Sequence, residues 1–320
     1  MKRRLLLLIP LILLPLLVSC HENKHELSFF ALDTVISVTT YGDDGKAAEA
    51  VTEEIRLCDT LFGRTEDSDI SRINASEGKE TAVDSRTAEM LSRSLALCRE
   101  TGGCVDIGLG RVIDLWGFPQ KQYRIPSADE LTSALADSGY DKLTVQGNAV
   151  CTNSGVQLDI GAVAKGYISD RLRALLKEEG ISSAIVSLGG NVTAIGSHPD
   201  GGDWTVAILD PTDRQSYACY LSVRDTNVIT SGTYQRYFEQ DGKKYCHVID
   251  PSTGRPVDNG LASVTVICED GLRGDALSTA LLVMGLDEAL AFHNEHPDFE
   301  AIFITESGEI VSTGIGYQKA

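Results

Sequence analysis

The chain lacks both a GxGxxG turn and a GxxxxGK[ST] loop, so neither a Rossmann nor a P-loop nucleotide site is indicated. Basic residues are scarce. Against 46 Asp and Glu stand only 28 Lys and Arg, a formal net charge of −18. Such a surface repels phosphate backbones and anionic headgroups, which argues against nucleic acid as a partner. Any anionic small molecule must then be held locally, by a metal, a lysine or helix N-termini. The eight cysteines contain no CxxC pair. Setting Cys20 aside leaves an odd number, which suits neither a disulfide framework nor a zinc site. Cys58, Cys98 and Cys268 fall at apolar positions, where a thiol packs as a small hydrophobe. Past Val18 no apolar run is long enough to span a bilayer, and no repeat or low-complexity linker divides the chain.

What is present begins with an export pattern. Lys2, Arg3 and Arg4 precede an apolar run, Leu5 to Val18, that Pro10 and Pro15 interrupt. It is too short and too broken for a comfortable transmembrane helix and reads as a removable signal peptide over residues 1–19. Leu17-Val18-Ser19-Cys20 has the lipobox pattern, which predicts lipidation of Cys20. Lipid tails there would hold an exported body on the periplasmic or extracytoplasmic face of a bacterial membrane. Residues 20–28 are expected to be a polar tether, and 29–320 a folded body long enough for a full core.

Phe29 to Gly42 is rich in β-branched residues and reads as a first strand. Ala47, Val51, Ile55, Cys58 and Phe62 line one helical face, and Ala88, Leu91, Leu95 and Cys98 another, stopped at Gly102-Gly103. Ser127 with Glu130 predicts a capping box, and Gly147-Asn148 a hairpin turn. A helix is expected after Gly166 and is closed by Gly180. Beyond it strands dominate, with helices at Asp275 to Met284 and near Asp287 to His293. The mixture has no strict βαβ alternation. It predicts an α+β fold of mixed or antiparallel sheets with packed helices.

Four segments could carry chemistry. In Leu158 to Leu172, Asp159, Ala162 and Lys165 crowd the start of a helix, a corner that suits an anion; a capped helix with a solvated lysine is equally compatible with that pattern. Asp275 and Thr279 stand four apart on one helix face and are hard oxygen donors of the kind Mg²⁺ takes, although Asp275 could simply be an N-cap. His247, near Asp250 and the Pro-Ser-Thr-Gly turn, could be a general base or a hydrogen-bonded structural histidine. Gly189-Gly190 permits close approach of a ligand.

Taken together, "SDISRIN", "VDIGLGRVIDLWGF", "LDIGAVAKGY", "SLGGN", "TSGTYQRYFEQDGKKYCHVIDPSTGRP", "SVTVIC" and "DALSTAL" resemble, in order, the motifs of the ApbE family, the FAD:protein FMN transferases. The resemblance runs from about Phe29 to Thr313. It implies an ApbE-like, T-fold-like single body that transfers the FMN half of FAD to a Thr or Ser hydroxyl of a partner protein and releases AMP. It further implies flavin-nucleotide contacts at Asp159, Lys165, Cys104, Val105, Asp106 and Ile249. Mg²⁺ would be held by Ala162 (through its carbonyl), Asp275 and Thr279, with Ser278 a further candidate, and His247 would serve as the base alongside Asp275. Leu32 takes the position of a flavin-contacting Met, Cys246 that of a Ser, and Arg64-Thr65 that of an aromatic, while Asn74 remains as a polar contact. The implied acceptors are exported electron-transport subunits of the Na⁺-pumping NADH:quinone reductase or Rnf type, with an Asp-x-x-Ser/Thr-Gly-Ala-Thr motif. Two other readings share these residues: an FAD pyrophosphatase giving FMN and AMP, and a lipoprotein that binds FAD without chemistry.

Overall fold

In the computed structural model, residues 23–320 are described except 33, 43, 44, 64 and 154, so the lipobox, Cys20 and Arg64 lie outside the described residues. The β-branched opening segment is a hairpin rather than one strand. β1 (Lys24–Ala31) pairs in antiparallel register with β2 (Thr34–Tyr41). β1 therefore takes up about half of the stretch expected to be a tether, and Leu27 of that stretch packs on the core together with Phe29 just beyond it.

The chain continues through α1 (Lys46–Phe62), α2 (Asp69–Ala75), β3 (Thr81–Ala82) and α3 (Ser85–Glu100). Next come α4 (Gly110–Trp116), α5 (Ala128–Ala136), β4 (Leu143–Gln146), β5 (Ala149–Thr152) and α6 (Ala164–Glu178). A long β-rich stretch comprises β6 (Ser183–Leu188), β7 (Asn191–Gly196), β8 (Trp204–Leu209), β9 (Tyr217–Val223) and β10 (Asn227–Gly232). It goes on through β11 (Tyr237–Gln240), β12 (Lys243–Cys246), β13 (Ile249–Asp250), β14 (Arg255–Pro256) and β15 (Leu261–Cys268). The last elements are α7 (Gly271–Met284), α8 (Leu286–Glu295), β16 (Glu300–Thr305), β17 (Ile310–Ser312) and β18 (Gln318–Lys319).

Eight strands form the central antiparallel sheet in the order β1-β2-β6-β7-β10-β15-β16-β17. One face of its first half packs on α1, α3 and α6 through Ile36, Val38, Val186, Val51, Ile55, Leu91 and Leu172. The opposite face is covered by the small sheet β18-β9-β8, through Trp204, Val206 and Leu221 against Ala194, Val228 and Ile302. β15, covered on both faces, is buried along its whole length. A separate cluster joins α4 and α5 to the β11–β12 hairpin through Val112, Trp116, Phe118, Leu131, Phe238 and Ile249. The fold is thus α+β, as the mixed pattern implies, and among the described residues no helix is long and apolar enough to cross a membrane.

α7 starts a turn earlier than its apolar pattern suggests. Its N-cap is Asp270, whose carboxylate accepts from the Arg273 N–H. That removes the capping explanation for Asp275 and leaves it as a carboxylate within the helix, only 2% exposed.

Candidate active site

The site forms where α6 and α7 begin. The two helices approach so closely that a Cβ on Gly166 would lie 2.7 Å from the Cβ of Asp275, and one on Gly271 would lie 2.6 Å from the carbonyl oxygen of Gly166. A clamp holds this approach. Asp170 of α6 accepts from the N–H groups of Gly271 (2.6 Å) and Leu272 (3.1 Å), and Arg93 of α3 forks onto both oxygens of Asp270 at 2.8 Å while reaching Asp170 at 3.3 Å. Burial, and then the charge of Asp270, pushes the Asp170 carboxyl above the usual carboxylate range.

Asp275 is fixed on both oxygens. One accepts from the Gly166 N–H at 2.9 Å and the other from the Asn191 amide at 2.9 Å. A carboxylate has about four lone-pair positions, so each oxygen keeps one for a further partner. The Lys165 ammonium stands 3.5 Å from the Asn191-bonded oxygen and 3.4 Å from the Gly161 carbonyl. A positive charge is therefore already held between the carboxylate and the turn that contains Ala162. One helical turn beyond Asp275, the hydroxyls of Ser278 and Thr279 lie 2.8 and 3.1 Å from Ser231 Oγ of β10, and Ser278 also donates to the Asp275 carbonyl at 2.9 Å. Among the described residues no group of three or more His, Cys, Asp or Glu gathers as metal ligands. The donor set here is one carboxylate with carbonyl and hydroxyl oxygens, a hard set that suits Mg²⁺ better than Zn²⁺.

Asp159 lies at the end of a buried strand-like segment. Its N–H donates to Ile107 O at 2.9 Å, and its carboxylate accepts from the Gly161 N–H at 2.9 Å, which shapes the turn into α6. Asn74 clasps the preceding residue, donating to Leu158 O at 3.0 Å and accepting from the Leu158 N–H at 2.6 Å. Its amide thus shapes the backbone beside Asp159. The Ile107 bond brings the Cys104–Asp106 segment alongside. Val105 is buried in the core, so only its backbone can face a ligand, and Asp106 accepts from the Gly108 N–H at 2.7 Å. The pKa of Asp106 is raised by burial. The thiol of half-buried Cys104 is pushed up by burial and by the charges of Glu288 and Asp250. Ile249 itself is buried beside Trp116 and Phe238. Leu32 lies at the β1–β2 turn with φ 53°, an uncommon conformation for a leucine, and neighbouring Thr34 packs against Gly189.

His247 follows β12. Its N–H donates to Arg236 O at 3.0 Å, and its ring meets Phe118 edge-on at 6.3 Å. Its Nδ1 is enclosed and has no hydrogen-bond partner. Burial, helped by the positive charges of Arg236 and Lys165, lowers its pKa to about 4, so the imidazole is neutral at physiological pH. Lys165 is thus near enough for its charge to bear on the ring. The wall beside His247 is aromatic. Tyr123, Phe238 and Tyr245 form a column of stacked rings, 5.2 and 5.1 Å apart, and Trp116 Nε1 donates to Gly254 O at 2.8 Å. Asp250 closes the following turn by accepting from Ser252 and Thr253.

Sequence reading missed Asn191 and Ser231. "SLGGN" points to them only through its glycines, and the need for an amide donor on Asp275 appears only once β7 and α7 are adjacent. The sequence profile described as the ApbE family matches residues 32–303. The chain belongs to the ApbE family. It is 32% identical over 300 residues to an FAD:protein FMN transferase of Klebsiella pneumoniae (strain 342), covering 91% of this chain and 92% of that one. The ApbE protein of Thermotoga maritima superposes with a TM-score of 0.84 at 32% identity, covering 90% of this chain and 96% of that chain. Apo flavinyl transferase ApbE of Pseudomonas stutzeri gives 0.82 at 30% identity, covering 91% and 94%. The ApbE resemblance of the motifs therefore extends to the whole architecture.

Proposed function

We propose that this ApbE-family chain is a Mg²⁺-dependent FAD:protein FMN transferase. It moves the FMN moiety of FAD to a Thr or Ser hydroxyl of an exported acceptor and releases AMP. The reading is supported by one arrangement: a buried, doubly oriented carboxylate and a lysine meet at a helix-start corner of a strongly acidic protein, and the charge of that lysine reaches a neutral histidine.

Asp275, Thr279 and the Ala162 carbonyl would hold the metal, with Ser278 beside them. When bound, Mg²⁺ neutralises charge on the phosphate oxygens. Lys165 adds a positive charge at the same place, and the Asp159 turn presents backbone N–H groups to the nucleotide. Cys104, the Val105 backbone, Asp106 and Ile249 border the nucleotide. His247, held neutral, accepts the proton of the acceptor hydroxyl, a contribution of roughly 10²- to 10⁴-fold for a well-placed base. As the acceptor oxygen bonds to phosphorus, the bond from phosphorus to the bridging oxygen breaks, and AMP leaves with that electron pair.

The acceptor is a protein segment with the Asp-x-x-Ser/Thr-Gly-Ala-Thr motif, of the kind found in Na⁺-pumping NADH:quinone reductase and Rnf subunits. Residues 1–19 act as the signal, and lipidated Cys20 keeps the enzyme on the extracytoplasmic side of the membrane that carries those subunits.

The test incubates residues 21–320 with FAD, Mg²⁺ and an acceptor domain bearing the motif, followed by denaturing electrophoresis. Flavin fluorescence on the acceptor, lost with EDTA and with Thr→Ala in the acceptor, is the expected result. Accumulation of free FMN and AMP without labelling would mean a pyrophosphatase, and intact bound FAD without labelling a binding protein.

A further inference from the structure

The β11–β12 ladder places a second charged side chain beside His247. Tyr237 faces Cys246 in this antiparallel pair. Just beyond the end of that ladder, where both segments bend, the His247 N–H donates to Arg236 O at 3.0 Å. That bond ties the two residues' backbones together, and the Arg236 charge lies close enough to the imidazole to act on it. Arg236 is exposed, and among the described residues its side chain has no acidic partner.

Arg99, Arg214 and Arg255 likewise have no acidic partner among the described residues, but of these it is Arg236 whose charge bears on His247, and other arginines are committed. Arg86 and Arg171 share Glu54, Arg93 takes Asp270, Arg224 takes Asp203, and Arg273 takes Glu100 and Asp298. With acids in such excess, an arginine left uncommitted beside the base has its charge free for a ligand. Lys165, the other cation at the site, is already shared between Asp275 and Gly161.

We propose that Arg236 is a further catalytic residue, whose guanidinium contacts the phosphoryl group in flight. This rests on the transferase reading above, in which His247 takes the acceptor proton. During transfer the new oxygen–phosphorus bond forms within reach of His247, while the leaving oxygen departs on the opposite side. The equatorial phosphoryl oxygens then lie next to the base, where a planar fork of N–H donors can meet two of them. Because charge spreads over these oxygens in the transition state, the contact raises turnover more than it tightens FAD binding.

The experiment measures FMN transfer by Arg236→Ala and Arg236→Lys in the full mature chain, varying FAD and acceptor separately, with FAD affinity followed by flavin fluorescence. Arg236→Ala is expected to lose about 10²- to 10³-fold in kcat, with FAD affinity changed much less, and Arg236→Lys to recover only part of the loss. Added guanidinium ion is expected to restore activity to Arg236→Ala and not to His247→Ala, a rescue that a purely structural role would not give. Near-normal kcat in Arg236→Ala, or a loss confined to the acceptor KM, overturns the assignment. If the unaltered enzyme hydrolyses FAD but labels no acceptor, it is the transferase reading that falls.

Discussion

Gly166→Ala sets two well-known effects against each other. Alanine is favoured over glycine inside a helix by about 1 kcal/mol, so propensity alone predicts a more stable protein. The packing predicts the reverse. The added methyl would stand 2.7 Å from the Cβ of Asp275 and would also press on the Gly271 carbonyl. Carbon atoms prefer about 3.5–4.0 Å, so α6 and α7 would have to part by about 1 Å at the tightest point of the site. Overpacking of this kind costs about 1–3 kcal/mol. Separation also breaks the bond from the Gly166 N–H to the Asp275 carboxylate, and a bond to a charged group is worth about 1.5–3 kcal/mol. The net expectation is a loss of about 1.5–5 kcal/mol, read as a melting temperature lower by several degrees in a circular-dichroism melt. Transfer activity should fall as well, because Asp275 loses one of its two orienting donors. A variant that melts at or above the parent temperature would show that the helices have slack at Gly166, and the argument from close approach would fail.

Other expectations follow from the same geometry. Asp275→Asn keeps the shape and removes the charge. Manganese binding followed by electron paramagnetic resonance should weaken by more than the roughly 100-fold typical of losing an outer-shell partner, with FMN transfer falling in step. His247→Ala should slow transfer by about 10²- to 10⁴-fold while leaving FAD binding intact, so unchanged rates would remove it from the mechanism. The acid limb of the pH–rate profile should lie near pH 4 rather than at the ordinary histidine value, because burial and the two neighbouring cations hold the ring neutral. The same depression affects stability. Between its ordinary value of 6.5 and about 4 the unfolded chain binds a proton that the folded chain refuses, so stability falls as pH drops through that window. Urea titrations of His247→Asn should show a flatter dependence there.

Much of the fold can be read from local pattern. The faces of α1 and α3 are buried at the residues whose spacing marks them, the Ser127–Glu130 capping box forms, and the chain turns at Gly147-Asn148 between β4 and β5. The errors arise where tertiary pairing decides. Phe29 to Gly42 has enough β-branched character for one long strand, and nothing local in Leu32 announces a reversal. β10 carries Thr, Ser and Gly, and it is a central strand because β7 and β15 flank it. Asp275, Thr279 and Lys165 are recognisable as chemistry-bearing types from sequence. That they meet depends on Gly166 and Gly271, whose lack of side chains lets two helices touch at a point no periodicity reveals. Asn191 is invisible for the same reason, since its partner lies 84 residues away in the chain.

The division of the apolar interior bears on motion. Asp275 and Lys165 ride on helices embedded in the main cores, and Cys246 and Val248, on either side of His247, pack with α7 there, whereas Phe238 and Tyr245 of the hairpin pack with α4 and α5 in a cluster of rings of their own. Native-state hydrogen exchange should accordingly resolve two cooperative units, with the amides around Phe238, Tyr245 and Val112 opening together and at lower free energy than those of α6 and α7. A hairpin tip that opens while Cys246 and Val248 keep His247 docked could admit a protein-bound hydroxyl while the nucleotide end of the site stays closed.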